Sequence, residues 1–442
     1  MTRLANILFA APDAGRARVI AEVLTRRKFG VRTVAGIELL RTAARDRKPD
    51  LVMLDAAGAD ALAWAAEMAR DPVTDRIPRV LVGADGSPAT YRSALATRVD
   101  EVFEAQTQED EMLLRLAPLL RLSTMAVELD RRATQVCDLG IRIDASAAPN
   151  LEAEPARILM LGGDGGLGAA LTRASGGRAS ITVAADAFVA EDRLNEQPFD
   201  ACVVSLDGSG AADALEFTGH IRNNPRLFNL PVVALASPGT AVDPLAACRG
   251  GVTRLVPGPA AADALRYALT TLVRRQRWRW SLRQGLEATR QGAARDPVTD
   301  AYTLAFLQRH LQALVEAARA WRKHLTLVFF SVPGLADVRA YFGADAALQL
   351  SRQLAHWIMG LVRIEDLTAR YNDEDFCVAL PDTPLADARI VIGRIAGILS
   401  HTDFALRNVY QPVSVAVEVA MAELAAEDSA DRLIARARET LD

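Results

Sequence analysis

Apolar and polar positions along the chain fall into short, unbroken apolar runs separated by amphipathic stretches. "ANILFAAPD" with "DLVMLD" is one pair of such runs, and "ARILMLGGD" with "DACVVSLD" is another. In each pair an apolar run leads through a turn and a helical pattern to a second run that closes on a small or acidic residue. The two segments therefore read as distant copies of one another. Apolar runs without alternation predict strands covered on both faces, hence parallel sheets flanked by helices. Ligands of such sheets sit beyond the carboxyl ends of the strands. The Ala-, Pro- and Glu-rich stretch "DASAAPNLEAEPA" predicts a linker between the copies.

After the second copy, "ADALRYALTTLVRRQRWRWSLRQGLEATRQGAARDP" predicts one long amphipathic helix that ends at Pro297. The pattern then changes. "LTLVFFSVPG" predicts a strand, "DAALQLSRQLAHWIMGLV" a helix, "LTARYNDEDFCVALP" a hairpin, "DARIVIGRIAGIL" a helix and "VSVAVEVAMAE" a strand. Helices mixed with strands around a hairpin predict an α+β unit with an antiparallel component.

Composition narrows the function. With 442 residues, 50% of them apolar, the chain can build several domains with proper cores. A formal net charge of -4 supplies no basic field for nucleic acid, so a small anionic ligand met by local arginines fits better than DNA. Cys137, Cys202, Cys248 and Cys377 lie far apart without a CxxC, which predicts buried reduced thiols rather than zinc or disulfides. The N-terminal apolar run is too quickly broken for a signal peptide, and no uncharged run is long enough to span a bilayer. A cytoplasmic protein without membrane insertion is expected.

The chemistry concentrates in "RIEDLTARYNDEDFCVALPDT". Arg363 and Asp366 form RxxD, LTARY follows, and Asn372-Asp373-Glu374-Asp375-Phe376 fills the turn of the hairpin, with "DPVTD" upstream. With this spacing the third unit resembles a GGDEF domain, the diguanylate cyclase fold. Nearly the whole chain is similar to the PleD class of response regulators of two-component signalling. The resemblance implies two flavodoxin-like receiver domains, each a doubly wound parallel α/β sheet, followed by a nucleotidyl-cyclase-like α+β GGDEF domain. The implied division is a receiver at 1–125 with an eroded Mg site, a linker at 126–155, and a degenerate receiver-like adaptor at 156–275. A linker helix at 276–296 and a degenerate GGDEF domain at 297–442 complete it.

A cyclase lays a triphosphate along the hairpin and holds two metals on carboxylates. The family's two glycines are Asn372 and Asp373 here. Both tolerate a left-handed turn, but Asp373 adds bulk and negative charge to the phosphate cradle. By resemblance the first metal carboxylate corresponds to Ser331, and the guanine-binding Asn and Asp to Arg339 and Leu348. Glu374 alone keeps its identity, and one carboxylate cannot hold two magnesium ions. The expectation is a degenerate diguanylate cyclase that is no enzyme, with no catalytic and no metal residues. The resemblance assigns Arg363, Asp366 and Arg394 to a cyclic di-GMP site, for which arginine's planar fork is suited. The plainer reading of RxxD is a helix-ending arginine paired with a surface acid.

In the first receiver-like unit the resemblance makes Asp55 the phosphoacceptor. The metal-binding acidic pair corresponds to Ala10-Ala11, with Asp13 two residues late, the switch Thr to Gly83 and the Lys to Glu104, so magnesium binding is left open. As a plain alternative, Asp55 is a strand-end carboxylate that caps a loop. In the second unit Ser205 holds the acceptor place and Gly162-Gly163 that of the acidic pair, which predicts a packing and dimerisation module. "GDGGLG" with Asp186 matches a dinucleotide fingerprint, but no second mononucleotide half follows. "VRRQRWRW" places Trp278 and Trp280 on different helix faces and predicts a charged linker rather than a nucleic-acid surface.

The expected protein is a cyclic di-GMP effector. By resemblance it is a homodimer that recruits protein partners, such as a proteolysis adaptor at the cell pole, in cell-cycle control. Two other classes stay open: an active or GTP-binding cyclase, and a nucleotide-independent scaffold regulated through Asp55.

Overall fold

The computed structural model describes residues 2–58, 60–141, 154–162, 165–207, 210–237, 239–240, 242–257 and 262–439. Most of the linker expected between the copies, and Gly163 and Asp164 of "GDGGLG", lie outside the described residues.

The first sheet is built from β1 (Asn6–Ala10), β2 (Gly30–Val34), β3 (Leu51–Asp55), β4 (Arg79–Ala84) and β5 (Glu101–Glu104). All pairs are parallel, in the order β2-β1-β3-β4-β5. Helices α1 (Ala14–Arg26), α2 (Ile37–Arg47), α3 (Ala61–Met68), α4 (Pro88–Ala96) and α5 (Glu109–Cys137) alternate with the strands. Every residue of β3 is buried because both faces are covered. Leu8, Leu54 and Leu81 meet Leu40, Trp64 and Ala94, while Phe9, Met53 and Val80 meet Leu24 and Leu116. Each fully buried side chain of this kind contributes about 1.5–3 kcal/mol.

The same winding recurs. Strands β6 (Ala156–Leu161), β7 (Ala179–Ala184), β8 (Ala201–Ser205), β9 (Val232–Ala236) and β10 (Arg254–Pro257) form a parallel sheet in the order β10-β9-β8-β6-β7. Its helices are α6 (Gly165–Ala174), α7 (Ala187–Glu196), α8 (Ala211–Asn223), α9 (Pro244–Arg249) and α10 (Ala262–Ala288). The sequence expectation of one helix running to Pro297 is corrected: α10 ends at Ala288. Gly292, at φ +53, takes the chain into a left-handed turn that a side chain would resist.

The two sheets are joined at a buried seam. Leu122, Met125 and Leu129 of α5 pack on Leu282 and Leu286 of α10 beside Trp278. Glu101 on β5, wholly buried, accepts from Arg115, Arg254 and Arg275. Burial alone would raise its pKa, but the three guanidiniums outweigh it and hold the carboxyl far below the usual range. "VRRQRWRW" lies in this seam, with Val273 and Gln276 buried and Arg277 2.9 Å from Asp200, so it is no solvated linker. A pattern read along one helix cannot reveal a partner brought from another sheet.

The third unit is antiparallel. Strands β11 (Leu325–Ser331), β12 (Leu367–Arg370), β13 (Asp375–Pro381) and β14 (Glu418–Glu423) lie in the order β12-β13-β11-β14. Helices α11 (Leu304–Trp321) and α15 (Ala430–Arg438) cover one face. Helices α12 (Gly334–Phe342), α13 (Ala344–Leu361) and α14 (Leu385–Ser400) cover the other. Val413, expected in the last strand, instead exchanges backbone hydrogen bonds with Phe404, both 2.9 Å, so β14 starts only at Glu418. The unit docks on the first sheet through Lys323, whose ammonium lies 2.7 Å from Asp50 and 3.0 Å from Asp382.

The cysteines are free, but only Cys202 and Cys377 are buried. Burial pushes the Cys202 thiol up to about 12. Cys137, at the end of α5, is exposed, against the expectation of buried thiols. Among the described residues no helix is long and apolar enough to cross a membrane.

Candidate functional site

The hairpin turn between β12 and β13 closes without glycine. Asn372 accepts from the backbone N–H of Glu374 at 2.8 Å and of Asp375 at 2.6 Å, the geometry of an Asx turn. Neither Asn372 nor Asp373 takes a positive φ. The expected left-handed turn is therefore corrected: the Asn372 side chain supplies the closure that backbone freedom would otherwise give.

Beside the turn is a cavity of about 240 Å³ lined by Arg339, Leu348, Ser351, Arg370, Asp373 and Glu374 among others. Asp373 is held by two arginines, Arg339 at 2.9 Å and Arg370 at 3.0 Å. The structure thus brings Arg339, Leu348, Asp373 and Glu374 to one place. Ser331 ends β11, in register with Asp375, and is not part of the cavity lining. Two unpartnered buried polar atoms, Ser351 Oγ and Arg370 Nε, occur in lining residues. The groups here do not supply the oxygen set that two hard cations need, with Ser331 a hydroxyl and Asp373 taken by arginines. No group of three His, Cys, Asp or Glu suited to a metal occurs among the described residues.

The RxxD loop follows α13. Asp366 Oδ2 accepts from the Arg363 backbone N–H at 2.8 Å, and the Asp366 N–H donates to the Arg363 carbonyl at 3.0 Å. Asp366 is 8% exposed and its Oδ1 is buried without a partner. Burial, reinforced by the neighbouring Glu365 carboxylate, pushes its pKa up to about 7. Arg363 is exposed, and no hydrogen bond or ion pair of its guanidinium occurs among the described residues. The plain reading, an Arg363–Asp366 surface pair, does not hold, since the acid is buried and bonds the arginine's backbone. Arg394 is exposed on α14 and does not line the small cavity beside Asp366.

Residues that sequence reasoning missed hold this loop. Arg121 of α5 binds Glu365 at 2.7 and 3.3 Å, and Arg132, also on α5, donates to the Ile364 carbonyl at 3.4 Å and to that of Glu365. Nothing in their local sequence marks them, because their partners lie in another unit.

Asp55 ends β3, 1% exposed. Both its oxygens accept from Arg16 at 3.1 Å, and Oδ1 also accepts from the Ala57 N–H at 3.1 Å. Asp13 caps α1 by accepting from the Arg16 N–H at 2.9 Å, a different task from holding a metal at Asp55. At Gly83, φ +77, a Cβ would lie 2.8 Å from Arg16 Nη2, so a threonine there would be strained in its backbone and would displace the guanidinium. Glu104 accepts from the Tyr91 hydroxyl at 2.7 Å. The residues around Asp55 thus present an arginine where a cation-binding acidic pair would be needed, and they do not fit magnesium. In the second sheet, Ser205 Oγ accepts from the Asp207 N–H at 3.3 Å, while Asp207 is held by Ser237 and Thr240.

Comparison with known proteins then decides the third unit. Residues 293–442 match the family of diguanylate cyclase GGDEF domains. The chain is 25% identical over 449 aligned residues to the response regulator PleD of Caulobacter vibrioides (strain NA1000 / CB15N), covering 98% of this chain and 96% of that protein. Among solved structures, the FimX GGDEF domain from Pseudomonas aeruginosa is 22% identical, with a TM-score of 0.32, covering 34% of this chain and 91% of that chain. The GGDEF domain of DgcB from Caulobacter crescentus, in complex with c-di-GMP, is 18% identical with a TM-score of 0.33, covering 34% and 87%.

The expectation that the chain is no enzyme is thereby corrected. The family matched by residues 293–442 is one of diguanylate cyclases.

Proposed function

We propose that this chain is a response regulator whose GGDEF domain is a receptor for cyclic di-GMP, with Arg363 and Asp366 as its main contacts and Arg394 as a third. The supporting observation is the pairing at RxxD: a buried carboxylate with one oxygen unpartnered beside the exposed guanidinium of Arg363. The guanine N1 and N2 protons fit that carboxylate, and phosphate oxygens fit the arginine fork. In this reading residues 1–125 and 156–275 act as receiver and adaptor, and 297–442 as the ligand-binding domain. Ligand binding shifts their arrangement and exposes a surface for protein partners. A likeness to PopA, a paralogue of PleD, adds a homodimer at the cell pole that recruits an adaptor for regulated proteolysis.

Calorimetric titration of the full chain with cyclic di-GMP, beside Arg363→Ala, tests this. Saturable heat in the parent that disappears in the variant supports the receptor; no heat in the parent overturns it. A second reading, cyclase turnover or GTP binding in the 240 Å³ cavity, is favoured by the family match. Incubation with GTP and magnesium, followed by chromatography for cyclic di-GMP, tests that reading separately.

A further inference from the structure

The cavity beside the hairpin turn carries features that the readings above leave unused. Its volume, about 240 Å³, lies below the roughly 300–1,000 Å³ of pockets that enclose drug-sized ligands. Leu335 and Ala336 of α12 and Ala347 and Leu348 of α13 give it apolar walls. Ser351, one turn further along α13, is 2% exposed, and its Oγ has no hydrogen-bond partner among the described residues, not even a carbonyl of its own helix. Arg370 Nε is buried and unpartnered in the same way. Polar atoms left so cost free energy unless a bound group satisfies them.

The mouth of the cavity is a clamp for an anion. Arg339 of α12 and Arg370 of β12 meet the Asp373 carboxylate at 2.9 and 3.0 Å. Arg339 holds no other carboxylate among the described residues, and the second acid near Arg370, Asp296, is 3.7 Å away. Two planar forks that converge on one acid suit a carboxylate or a phosphate. Asp373 is thus an occupant supplied by the chain itself. It is a loose one: the Arg339 and Asp373 side chains are 49% and 59% exposed, and ion pairs so open to water hold weakly. The turn is closed by Asn372, through the N–H groups of Glu374 and Asp375, so the Asp373 carboxylate can swing away without opening the hairpin.

We infer that this cavity binds a compact organic anion, one carboxylate or phosphate head on an uncharged apolar body, with Arg339 and Arg370 taking the head in place of Asp373. The apolar walls receive the body, and Ser351 bonds a hydroxyl or carbonyl carried on it. Such a ligand is much smaller than a nucleoside triphosphate, which sets the inference apart from GTP binding in the same cavity. It also stands apart from the RxxD receptor reading, because none of the residues invoked belongs to that loop. On binding, the ligand exchanges a contact within the chain for one of its own and releases the hairpin turn from α12.

The test is calorimetric titration of the full chain with benzoate, phenyl phosphate and GTP, in the parent, Asp373→Ala, Arg339→Ala and Glu374→Gln. Benzoate and phenyl phosphate distinguish the two kinds of head. Arg339 and Asp373 are both well exposed, so neither variant endangers the fold. Asp373→Ala removes the internal competitor and should bind the better of the two small anions about tenfold more tightly than the parent, whereas Arg339→Ala should lose about tenfold. Glu374 lines the same cavity without an ion pair to either arginine, so Glu374→Gln, which removes the same charge, should change affinity less than about threefold. An equal gain in Glu374→Gln would reduce the effect to overall charge and overturn the clamp. No binding of either small anion to the parent or to Asp373→Ala, or a parent that binds GTP more tightly than both, would overturn the inference. Cyclic di-GMP binding should be the same in Arg339→Ala as in the parent, which keeps the two sites apart in the readout.

Discussion

Two buried carboxylates, Asp55 and Asp366, show how differently one fold can finish an acid. Asp55, 1% exposed, has both oxygens bonded by Arg16 and one also by a backbone N–H. Asp366, 8% exposed, has one oxygen on the Arg363 backbone and the other on nothing. The first site is closed from within by a side chain of its own unit. The second keeps an acceptor unspent, with the exposed Arg363 beside it. A buried charge completed internally is structure, whereas one left incomplete is available to a ligand.

The largest expected effect breaks the closed site. Arg16→Ala leaves Asp55 buried with one backbone donor, and should cost about 2–4 kcal/mol in calorimetric unfolding, at the lower end because Arg16 is itself half-exposed. Asp55→Asn in the same background should recover most of the loss. If Arg16→Ala melts like the parent, the closure at Asp55 is illusory.

At the open site the same kind of change has the opposite sign. The Asp366 carboxyl, raised to about 7 from 3.8, disfavours ionisation in the fold. Its stability cost sets in as pH rises above about 4 and is complete above 7. Asp366→Asn should therefore melt higher than the parent at pH 8, by on the order of 1–3 kcal/mol. The gain should fade as pH drops towards 4, and a variant destabilised at pH 8 would contradict the incomplete site. Ligand affinity should move with the same group: since the ionised acid is the better acceptor, cyclic di-GMP should bind about tenfold more tightly at pH 8 than at pH 6. In Asp366→Asn the binding should be weak and flat with pH.

The smallest effect compares two buried threonines. Thr74 donates to the Met68 carbonyl at 3.0 Å, whereas Thr368 Oγ1 has no partner. Thr74→Val should cost about 1 kcal/mol, and Thr368→Val should be neutral or slightly stabilising. Equal losses in denaturant unfolding would erase the distinction.

Some of this was legible in the chain. The unbroken apolar run at Leu51–Asp55 marked a doubly covered parallel strand, and the spacing of Arg363, Asp366 and the hairpin drew attention to RxxD. Local chemistry was read less well. Gly292, with its left-handed φ, marks the end of α10 more closely than Pro297 does. Asn372 tolerates left-handed backbone, yet it is its side-chain oxygen that closes the turn. Arg16, Arg121 and Arg132 are invisible there because each is defined by a partner far along the chain. The departures at Ser331, Arg339, Leu348, Asn372 and Asp373 argue against an enzyme, whereas the match over residues 293–442 points to a family of cyclases.

The buried Glu101 has a consequence for how the molecule comes apart. Its three arginines reside on α5, β10 and α10, so separating the two parallel sheets would take Arg254 and Arg275 from Glu101 at once and leave it Arg115 alone. The two sheets are thereby made a single cooperative unit of unfolding, and in native-state hydrogen exchange the slowest amides of β4 and β9 should open together, on one clock.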